Sequence, residues 1–304
     1  MLLMSIFEKV RELRDITGAG MQDCKTALSE NNENIDLAIE YLRKKGIAKA
    51  AKKSDRSASE GLITIFSSGN KSSIVEINSE TDFVAKNPEF NIFCEKISSI
   101  CINSKNLEDL KSKKFDENNN VDSALVNLVA KIGENIQIRR FVNFDLNTNV
   151  ANYLHNKQSD NSGKLGVLLA YESSNKEQAT IFANQICMHI AASSPIALDE
   201  KGISNDFLEN EKKIMSEQLI NEGKKVEMIE KILSGKISKI IKDNTLLGQK
   251  WVMNPDITVK DCIDNFQKET KSSFEIKKFI RYKVGEGLDV KKSDFADEVK
   301  NLTK

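Results

Sequence analysis

At 304 residues, with 39% hydrophobic and 30% charged, the chain is too long for one small core and suits two or three domains. Its 45 basic residues balance 45 acidic ones, which removes any net pull toward nucleic acid or a membrane surface. The five cysteines (Cys24, Cys94, Cys101, Cys187 and Cys262) are odd in number and lack Cys-x-x-Cys spacing, so reduced, packed thiols are expected rather than disulfides or zinc ligands. The apolar start, Met1 to Phe7, lacks a basic n-region and a cleavage site, and no run approaches membrane-spanning length. A soluble, cytoplasmic protein without a signal peptide is expected.

In chain order, Ile6, Val10, Leu13 and Ile16 recur at helical spacing, and Gly18-Ala19-Gly20 turns the chain. A short helix from Gln22 to Ser29 follows. A third, capped by Asn34 or Asp36, is expected to end at Gly46. Three short helices in so few residues have a marginal core and suit docking better than catalysis. The stretch from Lys44 to Arg56 is basic and Ala-rich without interleaved aromatics, so it reads as a solvated helical linker rather than a nucleic-acid arm.

From Glu60 the period becomes two. Leu62 to Phe66, a Gly69-Asn70 turn and Ser73 to Ile77 predict a β-hairpin. A helix through Phe90, Phe93, Ile97 and Cys101, another from Val121 to Ile132, and a strand from Ile136 to Phe144 follow. The pattern then recurs: strands at Val150–Leu154 and Lys164–Tyr171, a helix from Ile181 to Ala192, and a distant strand, Phe274 to Tyr282, that repeats the order of Ile136 to Phe144. Between the second helix and its last strand, Phe207 to Leu219 and Val226 to Ile241 trace two seams around Gly223 and predict an inserted antiparallel α-hairpin. The chain closes with a helix from Asp294 to Leu302. The expected fold class is α+β: a three-helix module, a duplicated β-β-α-β core in two sheets, a helical hairpin and a C-terminal helix.

One junction stands out. The apolar run ending at Ile77 gives way to Ser79-Glu80-Thr81-Asp82-Phe83-Val84, with Pro88 opposing immediate helix. Phe83 is either a probe offered to another molecule or a core residue folded under the next helix. The second repeat favours the probe, because its matching strand end reads Glu172-Ser173-Ser174 with no aromatic. Catalytic signatures are missing. There is no phosphate-cradling Gly-x-x-x-x-Gly-Lys loop, no His-x-x-x-His and no Gly-x-Ser-x-Gly. His189, between Met188 and Ile190, reads more as a packing residue than a ligand. No cofactor and no metal site are expected.

Several motifs, in order, resemble the bacterial elongation factor Ts family: Leu13-Arg14-Asp15-Ile16-Thr17-Gly18-Ala19-Gly20-Met21, Thr81-Asp82-Phe83-Val84-Ala85-Lys86, Leu128 to Ile136, Met188 to Ser193 and Val284-Gly285-Glu286-Gly287. The resemblance implies a ubiquitin-associated-like module over residues 1–53 and a linker over 54–59. Core subdomains would cover 60–146 and 147–203 with 248–286, the hairpin 204–247, and a C-terminal module 287–304. It further implies guanine-nucleotide exchange on elongation factor Tu, without chemistry of its own. Thr81, Asp82, Phe83 and Val84 would be the group that dislodges the Mg²⁺ supports, and Arg14, Met21 and His189 would be further partner contacts. Direct nucleic-acid or membrane binding is not expected. Whether the hairpin makes a homodimer or lengthens the partner interface stays open, as does a pure adaptor role. Two departures from the family pattern, the 156–163 loop and Lys250-Trp251, bear on loop shape and arm docking.

Overall fold

The computed structural model describes residues 5–69, 71–145 and 148–288. Asn70 of the expected hairpin turn and the helix expected over Asp294 to Leu302 lie outside them. The described residues fall into two compact units: unit 1 draws on those within 5–145, 154–166 and 282–288, and unit 2 on those within 148–153 and 167–281.

Unit 1 begins with three helices, α1 (Ile6–Thr17), α2 (Met21–Glu30) and α3 (Ile35–Ala51). Ser5 and Glu8 form a capping box on α1, and the Asn34 side chain accepts from the Leu37 N–H at the start of α3. The helices meet over Val10, Leu13, Cys24, Ala27, Leu28, Ala38 and Leu42. The expected end of the third helix at Gly46 is corrected, because α3 runs on to Ala51. A mid-helix glycine costs only about 1 kcal/mol. Gly46 is buried, with Val126 and Ala130 of the later helix α6 (Val121–Ile132) against the position of its missing side chain.

The core of unit 1 is the hairpin β1 (Glu60–Ser68) and β2 (Lys71–Ser79), paired in register from Glu60↔Ser79 to Ser68↔Lys71. Strand β3 (Gln137–Asp145) lies antiparallel to β2. Helices α4 (Pro88–Cys101) and α6, with the unanticipated short α5 (Leu107–Ser112), supply Phe90, Phe93, Ile97, Leu110, Val121 and Leu128 to a core that also takes Leu62, Val75 and Ile77 from the strands. Nearly every residue of β2 is buried, so the strand is covered on both faces.

Unit 2 holds most of β4 (Asn149–Lys157), β5 (Ser162–Ser173) and β8 (Phe274–Lys283), with α7 (Lys176–Ser193). It also holds the helices α8 (Asn205–Asn221) and α9 (Val226–Asn244), the ribbon β6 (Lys250–Trp251) and β7 (Asn254–Thr258), and α10 (Val259–Thr270). The ribbon and α10 were not anticipated from the sequence. Ile214, placed in the hairpin seam, is half exposed, while Leu219, Ile229 and Ile237 are buried. In place of two core sheets the described residues form one six-stranded sheet, ordered β3-β2-β1-β5-β4 with β8 also on β5, beside the small ribbon. The join is slight: Ile63 pairs with Gly163 and Thr64 with Ser162. Glycine allows the close approach there, since a Cβ on Gly166 would lie 2.7 Å from Ile63 Cγ2.

Candidate functional site

Strand β2 carries the site. Its Glu76 is fully buried, yet its carboxylate accepts from Arg139 Nη1 at 2.9 Å, Arg140 Nε at 2.7 Å, Asn78 Nδ2 at 3.1 Å and the Gly285 N–H at 2.8 Å. Arg140 also lies 4.1 Å over the Tyr282 ring, and Arg139 donates to the Glu286 carbonyl. A buried charge is tolerated only when paired in this way. Gly285 sits at φ +72°, and a Cβ there would meet the Ser59 carbonyl at 2.3 Å, so the contact requires glycine. This cluster fixes the strand whose end bears the tip.

Past Ser79 the chain leaves the sheet. Ser79 Oγ donates to the Thr81 carbonyl at 2.9 Å. The Thr81 N–H and Oγ–H donate to the two carboxylate oxygens of Glu134, at 2.9 and 2.6 Å. Glu80 in turn accepts from the Asn135 N–H at 2.6 Å. A 3-10 turn over Val84–Lys86 follows, with Val84 and Ala85 buried. Pro88 opens α4 rather than delaying helix: it occupies the first turn, where no N–H is required, and Asn87 Oδ1 accepts from the Glu89 and Phe90 N–H groups. Between these anchors Asp82 and Phe83 are both exposed, Phe83 to 75%. The core alternative for Phe83 is thereby excluded. Val84, expected beside it on the tip, points into the core instead. Among the described residues Asp82 has no ion-pair partner.

The remaining expected contacts divide. Arg14 and Met21 are exposed, flanking the left-handed Gly18 that ends α1. Behind that turn a cavity of about 200 Å³ opens between α1, α2, α3 and α6. Asp23 at its edge is held by Lys49 at 3.0 Å and Lys45 at 3.1 Å, and hydrogen bonds from Lys49 and then Lys45 hold its carboxyl below the usual range. His189, in unit 2, has no exposed surface. Its Nδ1 accepts from the Val252 N–H at 3.2 Å, which leaves Nε2–H to donate to Gln249 Oε1 at 3.0 Å. Its ring stacks on Trp251 at 5.2 Å between centroids. Burial pushes its pKa down, opposed in part by the Gln249 hydrogen bond. From this position His189 can meet a partner only through what it holds. That is the Val252-Met253 turn, with both side chains about half exposed.

Sequence reasoning missed that exposed turn, and it missed Glu134. The signal for Glu134 was its place just after Gly133, where a helix end puts side chains beside a neighbouring loop. Burial pushes the thiols of Cys94, Cys101 and Cys187 up, which keeps them neutral. No cluster of metal-ligating side chains is found among the described residues, and no helix there is long and apolar enough to cross a membrane.

Known proteins resemble this chain in sequence. A family model described as elongation factor TS matches residues 80–286, beginning at the base of the exposed tip. Elongation factor Ts of Bartonella quintana (strain Toulouse) is 41% identical over 295 residues, 96% of each chain. That of Rickettsia bellii (strain OSU 85-389) is 40% identical over 298 residues, 97% of this chain and 96% of the relative. That of Rickettsia prowazekii (strain Madrid E) is 39% identical over 297 residues, with the same two coverages. A family model over residues 80–286 and identity at this level over nearly the whole length leave one assignment: the chain belongs to the elongation factor Ts family of translation elongation factors.

Proposed function

We propose that this protein is a cytoplasmic guanine-nucleotide exchange factor that binds elongation factor Tu in its GDP form and accelerates GDP release. The observation that carries the reading is Phe83, an aromatic 75% exposed on a turn anchored at both ends. In the exchange step the Asp82-Phe83 tip enters the GTPase beside its Mg²⁺ site and displaces the groups that hold the ion. Mg²⁺ tolerates little departure from octahedral geometry, so a small shift of its supports weakens nucleotide binding strongly. Burying one Phe contributes roughly 1.5–3 kcal/mol, enough to help hold the displaced state but not to drive it alone.

The rest comes from docking. The three-helix module, read as ubiquitin-associated-like, presents Arg14 and Met21. In unit 2, His189 contributes by fixing the Val252-Met253 turn. Linkage makes the effect reciprocal: GDP weakens binding of this protein by the factor by which this protein weakens GDP. The two β-β-α-β successions are read as a duplication in which one copy kept a plain turn and the other acquired the tip. The α8–α9 hairpin extends the docking surface or pairs two copies, and light scattering with and without residues 204–247 distinguishes these.

The test is release of a fluorescent GDP from elongation factor Tu. Wild type should accelerate it and Phe83→Ala should largely fail to; a wild type without effect would overturn the reading. Deleting 1–53 should weaken binding without abolishing it, whereas a pure adaptor would lose all binding.

A further inference from the structure

The base of the tip is built from two carboxylates exchanged between neighbouring segments. Glu134, just past the end of α6, takes both donors of Thr81. Glu80, at the end of β2, takes the backbone N–H of Asn135. Asn135 is itself buried, and its side-chain amide donates to the carbonyls of Arg56 at 2.7 Å and Ser54 at 3.3 Å. Arg56 closes the ring by pairing with Glu80 at 3.4 Å, and Lys53 Nζ donates to the Gly133 carbonyl. The segment that leaves α3, the end of β2 and the 133–135 turn therefore share one set of hydrogen bonds, and those that involve Glu134, Glu80, Arg56 and Lys53 are charge-assisted, the stronger class. Gly133, left-handed at φ +87°, ends α6 and lets the chain turn so that Glu134 faces Thr81.

We propose that Glu134 is a positioning residue for nucleotide exchange: it holds the Asp82-Phe83 turn in its productive geometry without touching the partner, and Asn135 braces it against the 53–56 linker. The inference rests on the exchange reading. An exposed aromatic on a loose loop would lose part of its binding free energy to ordering, and it would meet the Mg²⁺ supports in many orientations. Glu134 removes that freedom at the residue immediately before Asp82. Its carboxylate satisfies the Thr81 N–H, which has no strand partner to donate to, because the β1–β2 ladder ends at Ser79.

The experiment is a double-mutant cycle on fluorescent-GDP release, scanned over factor concentration so that the saturated rate and the half-saturating concentration separate. Glu134→Ala should slow the saturated rate roughly tenfold, the scale for losing hydrogen bonds to a charged acceptor, with the half-saturating concentration moved by less than about threefold. Glu134→Gln, which keeps an acceptor and the shape, should recover part of the loss and guards against a folding defect. Added to Phe83→Ala, Glu134→Ala should change nothing further, because it acts through the same side chain. Independent, multiplying effects of the two substitutions would overturn the proposal. So would a wild-type saturated rate in Glu134→Ala, and that result would leave the exchange reading standing. No acceleration by the wild type would overturn both.

Discussion

Strands β2 and β5 each lead into a long core helix whose first turn is capped by an asparagine, Asn87 before α4 and Asn175 before α7. After β2, residues 80–87 intervene, carry a 3-10 turn and expose Phe83. After β5 only Ser174 and Asn175 intervene, and they are bonded inward. The Ser174 N–H donates to Ser273 Oγ at 3.2 Å, and the Ser273 N–H donates back to Ser174 Oγ at 3.0 Å. The aromatic of the second unit lies instead within its core. Phe182 stacks on Phe266 at 4.4 Å and meets Phe274 edge-on at 4.9 Å. One junction presents its aromatic, and the other closes on its neighbouring strand. The difference shows that exposure at the first is not a default of this strand–helix connection but the result of extra residues with their own anchors.

That contrast can be broken most severely at Phe182. Phe182→Ala should lower unfolding free energy by about 3–5 kcal/mol, read from urea denaturation, because a packed aromatic cluster is left with a cavity. Phe83→Ala should reverse the pattern. Exchange should fall by roughly 1.5–3 kcal/mol in activation terms, about ten- to a hundredfold, while the unfolding midpoint barely moves. A large loss of stability in Phe83→Ala would mean that the tip is structural after all. The two caps sharpen the comparison further. Asn87→Ala and Asn175→Ala should each cost about 1 kcal/mol of stability, but only Asn87→Ala should also slow GDP release, since it loosens the far anchor of the tip.

The smallest effect is one of pH. Burial depresses the folded-state pKa of His189 below the ordinary 6.5. As pH falls below that value the unfolded chain takes up a proton that the folded chain refuses. Stability contributed by the neutral ring is therefore full above about pH 6.5 and declines as pH drops toward the folded value, by at most about 1.4 kcal/mol per unit. His189→Gln should flatten that slope in denaturation at pH 5 to 7. An unchanged slope would mean that other groups cause it.

Much of this was legible in the residues themselves. Helical spacing located α1, α4, α6 and α7, and the alternation after Glu60 located β1 and β2. The tip showed itself as an aromatic beyond the end of an apolar strand. What stayed hidden depends on contacts between distant segments. The single sheet turns on two residue pairs between β1 and β5, far too few to leave a pattern. The run of α3 through Gly46 reflects packing against α6, which local propensity does not contain. Thr81 and Glu134 are 53 positions apart, and nothing in either neighbourhood announces the other. His189 was read as a packing residue from its apolar flanks, whereas the family resemblance implied a contact. Its complete burial agrees with the packing reading and rules out direct contact of the ring with another molecule.

The Glu76 cluster has a consequence for the order in which the chain is made. The Gly285 N–H reaches that carboxylate from 209 positions away, whereas Asn78 lies beside it in sequence and Arg139 and Arg140 follow after 63 and 64. On a polypeptide emerging amino end first, β2 and the tip can pair with β3 early, but the buried acid waits for its last donor until Gly285 has been made. A product cut short before Tyr282 would thus carry an aromatic tip on an unfinished platform, and its shortfall would be felt in the first half of the molecule rather than at the broken end.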